Sequence, residues 1–477
     1  MVVGEIAEGV DLLVVGGGPG GYVAALRSAQ LGRSVTLVDR DGEAGLGGVC
    51  VRVGCIPSKA LVETARATWA ARHDAVRGLR VTGATVDLAD FQAWRRDVVG
   101  SLSSGVASLL AAAGVTVVPG TARLTRPRTV AVEDPSGAVS HLQFEDAVLA
   151  PGSRPVVLPA LPLDGVRVLD STGVLGLDRL PRRVVVVGGG YIGLEIGTAL
   201  AQLGSAVTLV EARDRLLAEV DADVLRPVLR RLAQLGVQVL TGATVVADDG
   251  AAIHVRPSGG GEQALPCDVV VVAAGRRPNT DDLGLDLAGV PVRPDGLLDV
   301  APDRRLAPHL VAIGDVTPGP ALAHKAMAEA HVAAEALCGA PVAFDPAAVP
   351  TVVLSEPEVA ITGLSAEQAR AQGHEVRIGT YPLSASGRAA TLGHRDGFAR
   401  VVLDAGSGVV LGAQLVGEHV SELVGEATLA VEMGATALDL SLTVHPHPTM
   451  SEAIAEAASA ALGTGVHVPA WRASAQP

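Results

Sequence analysis

The chain has 477 residues, enough for about three domains, and 48% of them are hydrophobic, so it can bury a large core. Its formal net charge of −14 argues against nucleic acid and anionic membranes as partners. The apolar runs around Val184–Val187 and Val269–Ala274 are too short to span a bilayer, and the N-terminus shows no basic segment followed by an apolar run. We therefore expect a cytoplasmic protein.

The first predicted unit runs from Leu12 to Asp39 as a buried strand, a glycine turn, a helix and a second strand that ends in an acid. Gly16, Gly18 and Gly21 permit a tight turn, a close approach of the backbone to a pyrophosphate, and close packing of helix on strand. The start of the helix favours the phosphate charge. Asp39 follows the first glycine by 23 residues, which suits a hydrogen bond to a ribose hydroxyl.

The segment GGVCVRVGCIPSKAL holds Cys50 and Cys55, two of the chain's four cysteines, and Lys59, one of its two lysines. This cysteine spacing is wrong for common zinc motifs, and Cys267 and Cys338 offer no second pair, so we predict no metal site. Structural disulfides are rare in the cytoplasm. We therefore predict a redox dithiol whose thiolate fraction is tuned by a nearby cation.

The residues from Val184 to Glu211 repeat the first unit, with 14 of 28 positions identical and no gap. Two dinucleotide sites suggest two cofactors with an electron passing between them. Glu195 replaces Val23 of the first copy on the predicted inner face of the helix, where it needs a partner. Lys59 is our candidate for that partner, and a solvent-facing Glu195 is the alternative. The glycines and acid of this copy are Gly188, Gly190, Gly193 and Glu211.

Taken in order, these motifs resemble those of the flavin-dependent pyridine nucleotide–disulfide oxidoreductases over nearly the whole chain. They are most similar to those of the members that oxidise dihydrolipoamide. The resemblance also rests on five shorter segments: AAGRRPNT (Ala273–Thr280), VAIGDV (Val311–Val316), ALAHKA (Ala321–Ala326), LSEPEVAITGLS (Leu354–Ser365) and HPHPTMSEA (His445–Ala453).

The resemblance implies an α/β fold with two Rossmann-like dinucleotide-binding domains, for FAD and NAD, and a C-terminal α+β dimerisation domain. We place the FAD domain at 1–155 and 276–348, the NAD domain at 156–275 and the interface domain at 349–477. The interface domain includes alternating patterns at Ala399–Leu403 and Val409–Leu415 that predict strands.

The resemblance also implies roles for individual residues. Cys55 would lie against the flavin as the charge-transfer thiolate, Cys50 would meet the substrate, and Lys59 would pair with Glu195 near the flavin N5. The FAD contacts implied are Gly16, Gly18, Gly21, Asp39, Lys59, Gly120, Gly152, Asp315, Ala321, Leu322, Ala323 and His324. The NAD contacts implied are Gly188, Gly190, Gly193, Glu195, Glu211, Val245 and Gly275.

Three positions depart from the family pattern. The chain has Asp39 where Glu is usual, Arg52 where Asn is usual, and Pro151 where Thr is frequent. Asp has a shorter reach than Glu, and Pro lacks a backbone donor. We expect these differences to affect how the flavin is seated without changing the chemistry.

The C-terminal segment HPHPTMSEA would supply the proton acceptor that a dithiol requires. The resemblance implies that His447 is this base, that Glu452 orients it, and that it acts on the cysteine pair of the other subunit in a homodimer. Glu452 could instead cap a helix that begins near Met450, from the pattern Thr449-x-x-Glu452. Both tasks are hard for one carboxylate, and we favour the histidine partner. The roles of His445 and Lys325 stay open.

Glu211 favours NAD, because a carboxylate there would accept from the 2′-hydroxyl and repel a 2′-phosphate. We expect Arg213 and Arg215, which follow it, to lie in a solvated loop. The predicted reaction is dihydrolipoamide plus NAD⁺ giving lipoamide plus NADH. The partner would be a lipoyl domain of a 2-oxoacid dehydrogenase or glycine cleavage complex. Two alternatives are a related FAD-dependent disulfide or quinone reductase using NAD(P)H, and a non-catalytic scaffold subunit of such a complex.

Overall fold

The computed structural model describes residues 7–73 and 77–468, which divide into two compact units. Unit 1 contains the chain up to Thr64 together with Thr82–Arg179 and Val272–Asp345. Unit 2 contains Ala65–Val81, Leu180–Val271 and the chain from Pro346 onward.

Up to Arg179, the described residues form eight strands and four α-helices. The strands are β1 (Glu8–Val15), β2 (Val35–Asp39), β3 (Thr116–Pro119), β4 (Thr121–Arg126), β5 (Thr129–Glu133), β6 (Val139–Leu149), β7 (Ser153–Pro155) and β8 (Val168–Asp170). The helices are α1 (Pro19–Gln30), α2 (Gly48–Arg52), α3 (Cys55–His73) and α4 (Leu88–Ala112).

Ten strands and three helices follow up to Asp345. The strands are β9 (Arg183–Val187), β10 (Ala206–Val210), β11 (Gln238–Leu240), β12 (Ala243–Asp248), β13 (Ala252–Pro257), β14 (Gln263–Pro266), β15 (Val269–Val272), β16 (Arg276–Pro278), β17 (Arg305–Ala307) and β18 (Leu310–Ala312). The helices are α5 (Tyr191–Leu203), α6 (Ala222–Gln234) and α7 (Ala323–Leu337).

In the C-terminal region, the described residues 346–468 form five strands and five α-helices. The strands are β19 (Thr351–Val353), β20 (Glu358–Gly363), β21 (Val376–Pro382), β22 (Phe398–Asp404) and β23 (Val410–Gly417). The helices are α8 (Ala366–Ala371), α9 (Gly387–Leu392), α10 (Val420–Glu432), α11 (Ala437–Leu442) and α12 (Glu452–Leu462).

Unit 1 is built on a sheet with the strand order β17-β18-β6-β1-β2-β3, in which the strands from β18 to β3 run parallel. The apolar run Leu12–Val14 of β1 is fully buried because helices and loops cover both faces of a central parallel strand. The strand predicted at Leu12–Val15 is therefore present, and it begins earlier, at Glu8. A turn at the carboxyl end of β1 leads into α1, which packs against α7. This edge of the sheet is where ligands of such folds bind.

Unit 2 contains a second sheet with β11, β10, β9 and β15 in that order, in which β11, β10 and β9 run parallel. Its helix α5 is buried from Gly193 to Leu203, so the helix is covered on every side rather than exposing a polar face to water. The C-terminal region of unit 2 forms an antiparallel sheet in the order β19-β20-β23-β22-β21, against which α10 and α12 pack. The two strands predicted in this region are confirmed as β22 and β23.

The observed architecture has the predicted α/β class, with two parallel dinucleotide-type sheets and a C-terminal α+β region. Within residues 7–73 and 77–468, no helix combines the length and apolar character needed to cross a bilayer. The same residues contain no group of three or more His, Cys, Asp or Glu side chains that could hold a metal ion.

Candidate active site

The first glycine turn lies between β1 and α1. Gly16 has φ +101°, and a Cβ on it would lie 2.3 Å from the carbonyl oxygen of Ala150. A Cβ on Gly21 would lie 1.8 Å from the carbonyl oxygen of Gly16, so α1 can pack on this turn only when residue 21 is glycine. Gly18 is the N-cap residue of α1 and no side chain caps the amides there. These amides are therefore available to a phosphate.

Asp39 ends β2 and its carboxylate faces the same turn. One oxygen accepts a hydrogen bond from the Gly17 amide at 2.7 Å, and the other accepts from the Asp41 amide at 3.1 Å. A Cβ on Gly45 would lie 1.7 Å from this carboxylate, so residue 45 must be glycine for Asp39 to occupy its place. The shorter acid thus reaches the turn, and it keeps acceptor capacity for a ribose hydroxyl.

The second glycine turn repeats this arrangement in unit 2. Gly188 has φ +116°, and a Cβ on Gly193 would lie 2.0 Å from the carbonyl oxygen of Gly188. Glu211 accepts from the Gly189 amide at 2.6 Å and from the Arg213 amide at 2.8 Å. A Cβ on Gly190, the N-cap of α5, would meet no atom within 4 Å. Each unit therefore holds an open turn, a helix start without a side-chain cap, and an acid bound to the turn, which fits a dinucleotide.

The guanidinium of Arg213 is engaged elsewhere. It pairs with Glu219, and Arg215 donates to the carbonyl oxygen of Ala218 at 2.7 Å. Both arginines are exposed in the loop after β10, as expected from the sequence. The charge of Arg213 acts on Glu211, but its hydrogen bond is made to Glu219.

The cysteine segment packs directly on the first turn. The Gly47 amide donates to the carbonyl oxygen of Gly17 at 2.9 Å. Gly48 has φ +57°, and a Cβ on it would lie 2.6 Å from the Cα atom of Gly18. Helix α2 therefore begins in direct contact with the first glycine turn. A residue with a side chain at position 48 would push the helix away from this turn.

The two predicted redox sulfurs are together in the structure. Cys50 lies in the middle of α2, Cys55 begins α3, and their sulfurs are joined by a hydrogen bond rather than by a disulfide. This bond, burial, and negative charge at Cys55 raise the pKa of the Cys50 thiol, while the charge of Lys59 opposes the rise. Cys50 therefore keeps its proton when Cys55 is a thiolate. The structure thus brings Cys50, Cys55 and Lys59 into one cluster, as predicted.

Arg52, one of the departures from the family pattern, lies between the two cysteines. Its Nη1 atom donates to a carboxylate oxygen of Asp41 at 2.8 Å. Asp41 follows Asp39 by two residues, so this ion pair ties the cysteine helix to the end of β2. The charge of Arg52 is thus paired with that of a nearby carboxylate.

Glu195 is only 3% exposed, so its side chain is buried and the solvent-facing alternative is wrong. The Leu354 amide donates to one of its oxygens at 2.8 Å. A buried carboxylate needs such donors because water cannot solvate it. Lys59 is half-buried in α3, and its pairing with Glu195 stays a prediction.

Asp315 follows β18 and belongs to a chain of polar contacts in unit 1. The Ser153 hydroxyl donates to Asp315 at 2.5 Å, and the Arg276 Nε atom donates to the Ser153 hydroxyl at 2.7 Å. Ser153 follows Gly152, whose φ is +70°. The carbonyl oxygen of Pro151 accepts from the Asn279 side chain at 2.9 Å, so the proline at this departure position contributes an acceptor.

The remaining predicted cofactor contacts occupy several elements. Gly120 is buried before β4 and its amide donates to the carbonyl oxygen of Asp39 at 2.9 Å. Gly275 lies exposed between β15 and β16, and Val245 lies half-buried at an irregularity in β12. Residues 321–324 precede and begin α7, whose N-cap is Leu322. Their roles toward the cofactors stay predictions.

Lys325, whose role the sequence leaves open, is 2% exposed in α7. Its Nζ atom donates to the carbonyl oxygen of Gly314 at 3.0 Å and to the Thr317 hydroxyl at 2.8 Å, and lies 3.3 Å from Glu329. Arg304 also contacts Glu329, at 3.0 Å. Desolvation lowers the pKa of Lys325 from 10.5, although Glu329 opposes this shift. The lysine therefore holds the loop that carries Asp315.

His447 and Glu452 form the pair that the sequence favours. The His447 Nδ1 atom lies 2.8 Å from one carboxylate oxygen, so Nδ1 carries the proton and donates. The His447 side chain is 78% exposed, which leaves its Nε2 atom open to take a proton from a thiol. The other oxygen of Glu452 accepts from the Thr449 amide at 2.8 Å.

Each carboxylate oxygen of Glu452 therefore has its own partner, and the favoured pairing with His447 is present. The alternative capping box is not formed, because Ser451 rather than Thr449 is the N-cap of α12 and no side chain caps it. Burial acts to raise the pKa of Glu452, but the Thr449 amide and His447 outweigh it and hold the pKa below 4.5. Helix α12 begins at Glu452 itself, with Ser451 as its N-cap, slightly later than predicted. A charged Glu452 is thus maintained next to His447 at neutral pH.

His445 differs from His447 in being buried, with a side chain that is 8% exposed. Its Nε2 atom lies 2.8 Å from Glu426 on α10, and its Nδ1 atom lies 2.9 Å from the carbonyl oxygen of Thr443. Sequence reasoning missed Glu426, which lies 19 residues before His445 on another helix. It also missed Glu329, although a spacing of four from Lys325 in a helical segment would have indicated the pair.

Comparison with known proteins agrees with this geometry. The family model described as pyridine nucleotide-disulphide oxidoreductase matches residues 10–330, and its dimerisation domain matches residues 349–458. The chain is 43% identical to the dihydrolipoyl dehydrogenase of Geobacillus stearothermophilus, covering 98% of this chain and 99% of the relative. It is 44% identical to that of Halobacterium salinarum, with the same coverage.

Solved structures give the same result. LpdA from Mycobacterium tuberculosis has a TM-score of 0.87 at 28% identity, covering 94% of this chain and 99% of that chain. The flavoprotein disulfide reductase RclA from Escherichia coli has a TM-score of 0.83 at 26% identity, with the same coverage. The duplicated turn, the dithiol and the C-terminal domain thus occur together in one known architecture, and the chain belongs to the pyridine nucleotide–disulphide oxidoreductase family.

Proposed function

We propose that this chain is a dihydrolipoyl dehydrogenase, which oxidises dihydrolipoamide to lipoamide and reduces NAD⁺ to NADH. The observation that carries the proposal is the Cys50–Cys55 dithiol packed on the first glycine turn, through the bond from the Gly47 amide to the Gly17 carbonyl oxygen. This contact gives the sulfurs a fixed place beside a dinucleotide site. The names of the two relatives above support the choice of dithiol substrate.

The two turns would hold the two cofactors. Gly16, Gly18 and Asp39 would hold FAD, and Gly188, Gly190 and Glu211 would hold NAD. When bound, FAD supplies a two-electron acceptor that can take an electron pair from a dithiol and pass it to NAD⁺ as hydride. The protein contributes position and charge around that chemistry.

The thiol steps can be written for the chain's own sulfurs. In the oxidised enzyme Cys50 and Cys55 are joined by a disulfide. One substrate thiolate attacks Cys50, which breaks that disulfide, forms a mixed disulfide with Cys50 and releases the Cys55 thiolate. The second substrate thiolate then attacks the mixed disulfide, which releases lipoamide and leaves Cys50 as a thiol once it takes a proton. The raised pKa of Cys50 favours this protonated product.

His447 would take the protons of the substrate thiols through Nε2 and return one to Cys50. Its Nδ1–H bond to Glu452 fixes the ring and stabilises the positive charge that it gains. The imidazole is exposed in the single chain, and we propose that it serves the cysteine pair of a second copy in a homodimer.

The C-terminal domain offers a surface that fits such a dimer. Large apolar side chains on α10, α11 and the following loop are more than half exposed, which is costly for a surface that stays in water. The matched dimerisation domain contains this region. The exposed residues are Leu429, Met433, Leu438, Leu442 and Val444.

Glu211 supports NAD over NADP. Its carboxylate is held by two backbone amides at the end of β10, where it would accept from a ribose 2′-hydroxyl and repel a 2′-phosphate. We further propose that the physiological dithiol is on a lipoyl domain of a 2-oxoacid dehydrogenase or glycine cleavage complex in the cytoplasm.

The test is turnover of free dihydrolipoamide with NAD⁺ by the purified flavoprotein. Cys50→Ser should abolish this activity and keep flavin bound, whereas Cys338→Ser, at an exposed cysteine after α7, should behave like the wild type. Normal lipoamide turnover by Cys50→Ser would refute the thiol assignment. A wild type that reduces quinones or other disulfides but never touches lipoamide would favour the alternative reductase.

A further inference from the structure

His445 is the buried histidine of the loop that carries His447. Its side chain is 8% exposed, whereas Val444 before it is 95% exposed and the His447 side chain is 78% exposed. The loop joins α11 to α12, and from Thr443 to Pro448 every residue except His445 is exposed. His445 is therefore the side chain by which this loop is anchored to the body of unit 2.

Both ring nitrogens of His445 face hydrogen-bond acceptors. The Nδ1 atom lies 2.9 Å from the carbonyl oxygen of Thr443, and the Nε2 atom lies 2.8 Å from a carboxylate oxygen of Glu426. A neutral imidazole has one N–H group and can satisfy only one of two acceptors. The carbonyl has no proton to give, so Nδ1 must donate, and one further proton must lie between Nε2 and Glu426.

This shared proton makes the contact a charge-assisted hydrogen bond, which is stronger than a neutral one. It connects the loop to the middle of α10, a helix that packs on the antiparallel sheet. Other contacts of the loop are local: the Thr443 hydroxyl donates to Asp439, and the Thr449 hydroxyl donates to Pro446. The His445–Glu426 bond thus provides the loop with an anchor from a distant part of the chain.

The anchor lies two residues before the base. His447 keeps its Nδ1–H bond to Glu452 only if the loop places its ring at the start of α12. His445 is also close enough to Glu452 for its charge to lower the pKa of that carboxyl. Loss of the anchor would therefore let the loop move and weaken the pairing of His447 with Glu452.

We propose that His445, bound through its two ring nitrogens to Thr443 and Glu426, is a positioning residue that fixes His447 for proton transfer. The effect of His445 on proton transfer depends on the proposed dithiol activity, whereas its effect on the position of the loop does not. His445 acts through His447 and would not itself contact the substrate.

The kinetic test uses Glu426→Ala in the full-length holoenzyme, with Glu422→Ala one turn earlier on α10 as the matched control. We expect Glu426→Ala to slow reduction of the enzyme by dihydrolipoamide about 10-fold or more, and to change NADH-dependent quinone reduction far less. Glu426→Gln should recover most of the rate, because its amide can still bond to Nε2. Equal losses in both reactions, or no recovery by Glu426→Gln, would overturn the proposal.

A double-mutant cycle separates positioning from a general effect on the fold. In a His447→Gln background, Glu426→Ala should add little further loss of the dihydrolipoamide rate, because the base through which the anchor acts is already gone. A full additional loss would show that Glu426 acts by another route and would contradict the proposal.

A crystal structure of Glu426→Ala tests the structural part independently of substrate. The proposal predicts that His447 and Glu452 no longer lie within hydrogen-bond distance, or that the loop from Thr443 to Thr449 adopts more than one conformation. An unchanged loop would refute the proposal even if the enzyme oxidises dihydrolipoamide. If the wild type fails to oxidise dihydrolipoamide while the loop moves as predicted, only the proposed function fails.

Discussion

The Gly47 amide donates a hydrogen bond to the carbonyl oxygen of Gly17 across 2.9 Å, which joins the cysteine segment to the first nucleotide turn. The next residue, Gly48, lies against Gly18 so closely that a Cβ would come within 2.6 Å of its Cα atom. The dithiol and the turn are therefore one local structure. A change that separates them should affect cofactor retention and sulfur chemistry together.

Gly48→Ala tests this contact. The new methyl group would clash with the backbone of Gly18, and residue 48 has φ +57°, a conformation that alanine adopts at a cost of about 1–2 kcal/mol. We expect the purified variant to contain less flavin per chain and to melt at a lower temperature. Gly100→Ala in α4, where a Cβ meets no atom within 4 Å, is the control and should keep its flavin. Full flavin content in Gly48→Ala would contradict the close packing.

His447→Gln tests the base. Glutamine can keep a hydrogen bond to Glu452 but cannot take a proton from a thiol, so reduction by dihydrolipoamide should fall about 100-fold or more. NADH-dependent reduction of an artificial quinone needs no thiol proton and should fall far less. His467→Gln is a matched control, because His467 forms a similar pair with Glu456 at 2.7 Å. Equal losses in the two reactions would remove His447 from this role.

Glu211→Ala tests the nucleotide preference. The substitution removes the acceptor for the 2′-hydroxyl and the negative charge that repels a 2′-phosphate, which together correspond to about 1.5–3 kcal/mol for a charged hydrogen bond. The ratio of kcat/KM for NAD⁺ to that for NADP⁺ should therefore fall by about 10-fold or more. An unchanged ratio would show that Glu211 does not contact the ribose.

Lys325→Met tests the buried cluster around Glu329. The substitution removes the ammonium from the carbonyl oxygen of Gly314 and from Glu329, so we expect a loss of about 1–3 kcal/mol in the free energy of unfolding. Arg304 still contacts Glu329, which limits the loss. Urea unfolding of both proteins measures it, and equal stability would contradict the assigned role.

The same pair of proteins should differ in pH dependence. Burial lowers the pKa of Lys325 in the folded state below 10.5, so the unfolded chain binds the proton more tightly. The wild type should therefore gain stability relative to Lys325→Met as pH rises from the folded-state pKa toward 10.5. Identical slopes of stability against pH in this window would show that the lysine is not perturbed.

Local patterns in the sequence were sufficient to predict the elements that position the site. The buried runs before Gly16 and Gly188, the glycine spacings and the terminal acids are short-range features, and each specifies one strand–turn–helix unit. The structure adds that Asp39 and Glu211 bond to their own glycine turns. These bonds depend on the backbone geometry of each turn, which cannot be predicted from the spacing of the glycines alone.

Contacts between distant residues could not be predicted in the same way. Ser153 and Asp315 are 162 residues apart, and His445 and Glu426 belong to different elements, so no local period connects them. The pattern Thr449-x-x-Glu452 suggested a capping box, but it does not show that α12 begins only at Glu452, with Ser451 as its N-cap. Three-dimensional placement of individual atoms decides such cases.

The most direct measurement of the central claim is an anaerobic titration of the purified flavoprotein with dihydrolipoamide, followed by absorbance. If the thiolate of Cys55 lies against the flavin, the wild type should develop a long-wavelength band as the dithiol is reduced, and Cys55→Ser should not. Bleaching of the flavin without this band in the wild type, or the same band in Cys55→Ser, would contradict the account.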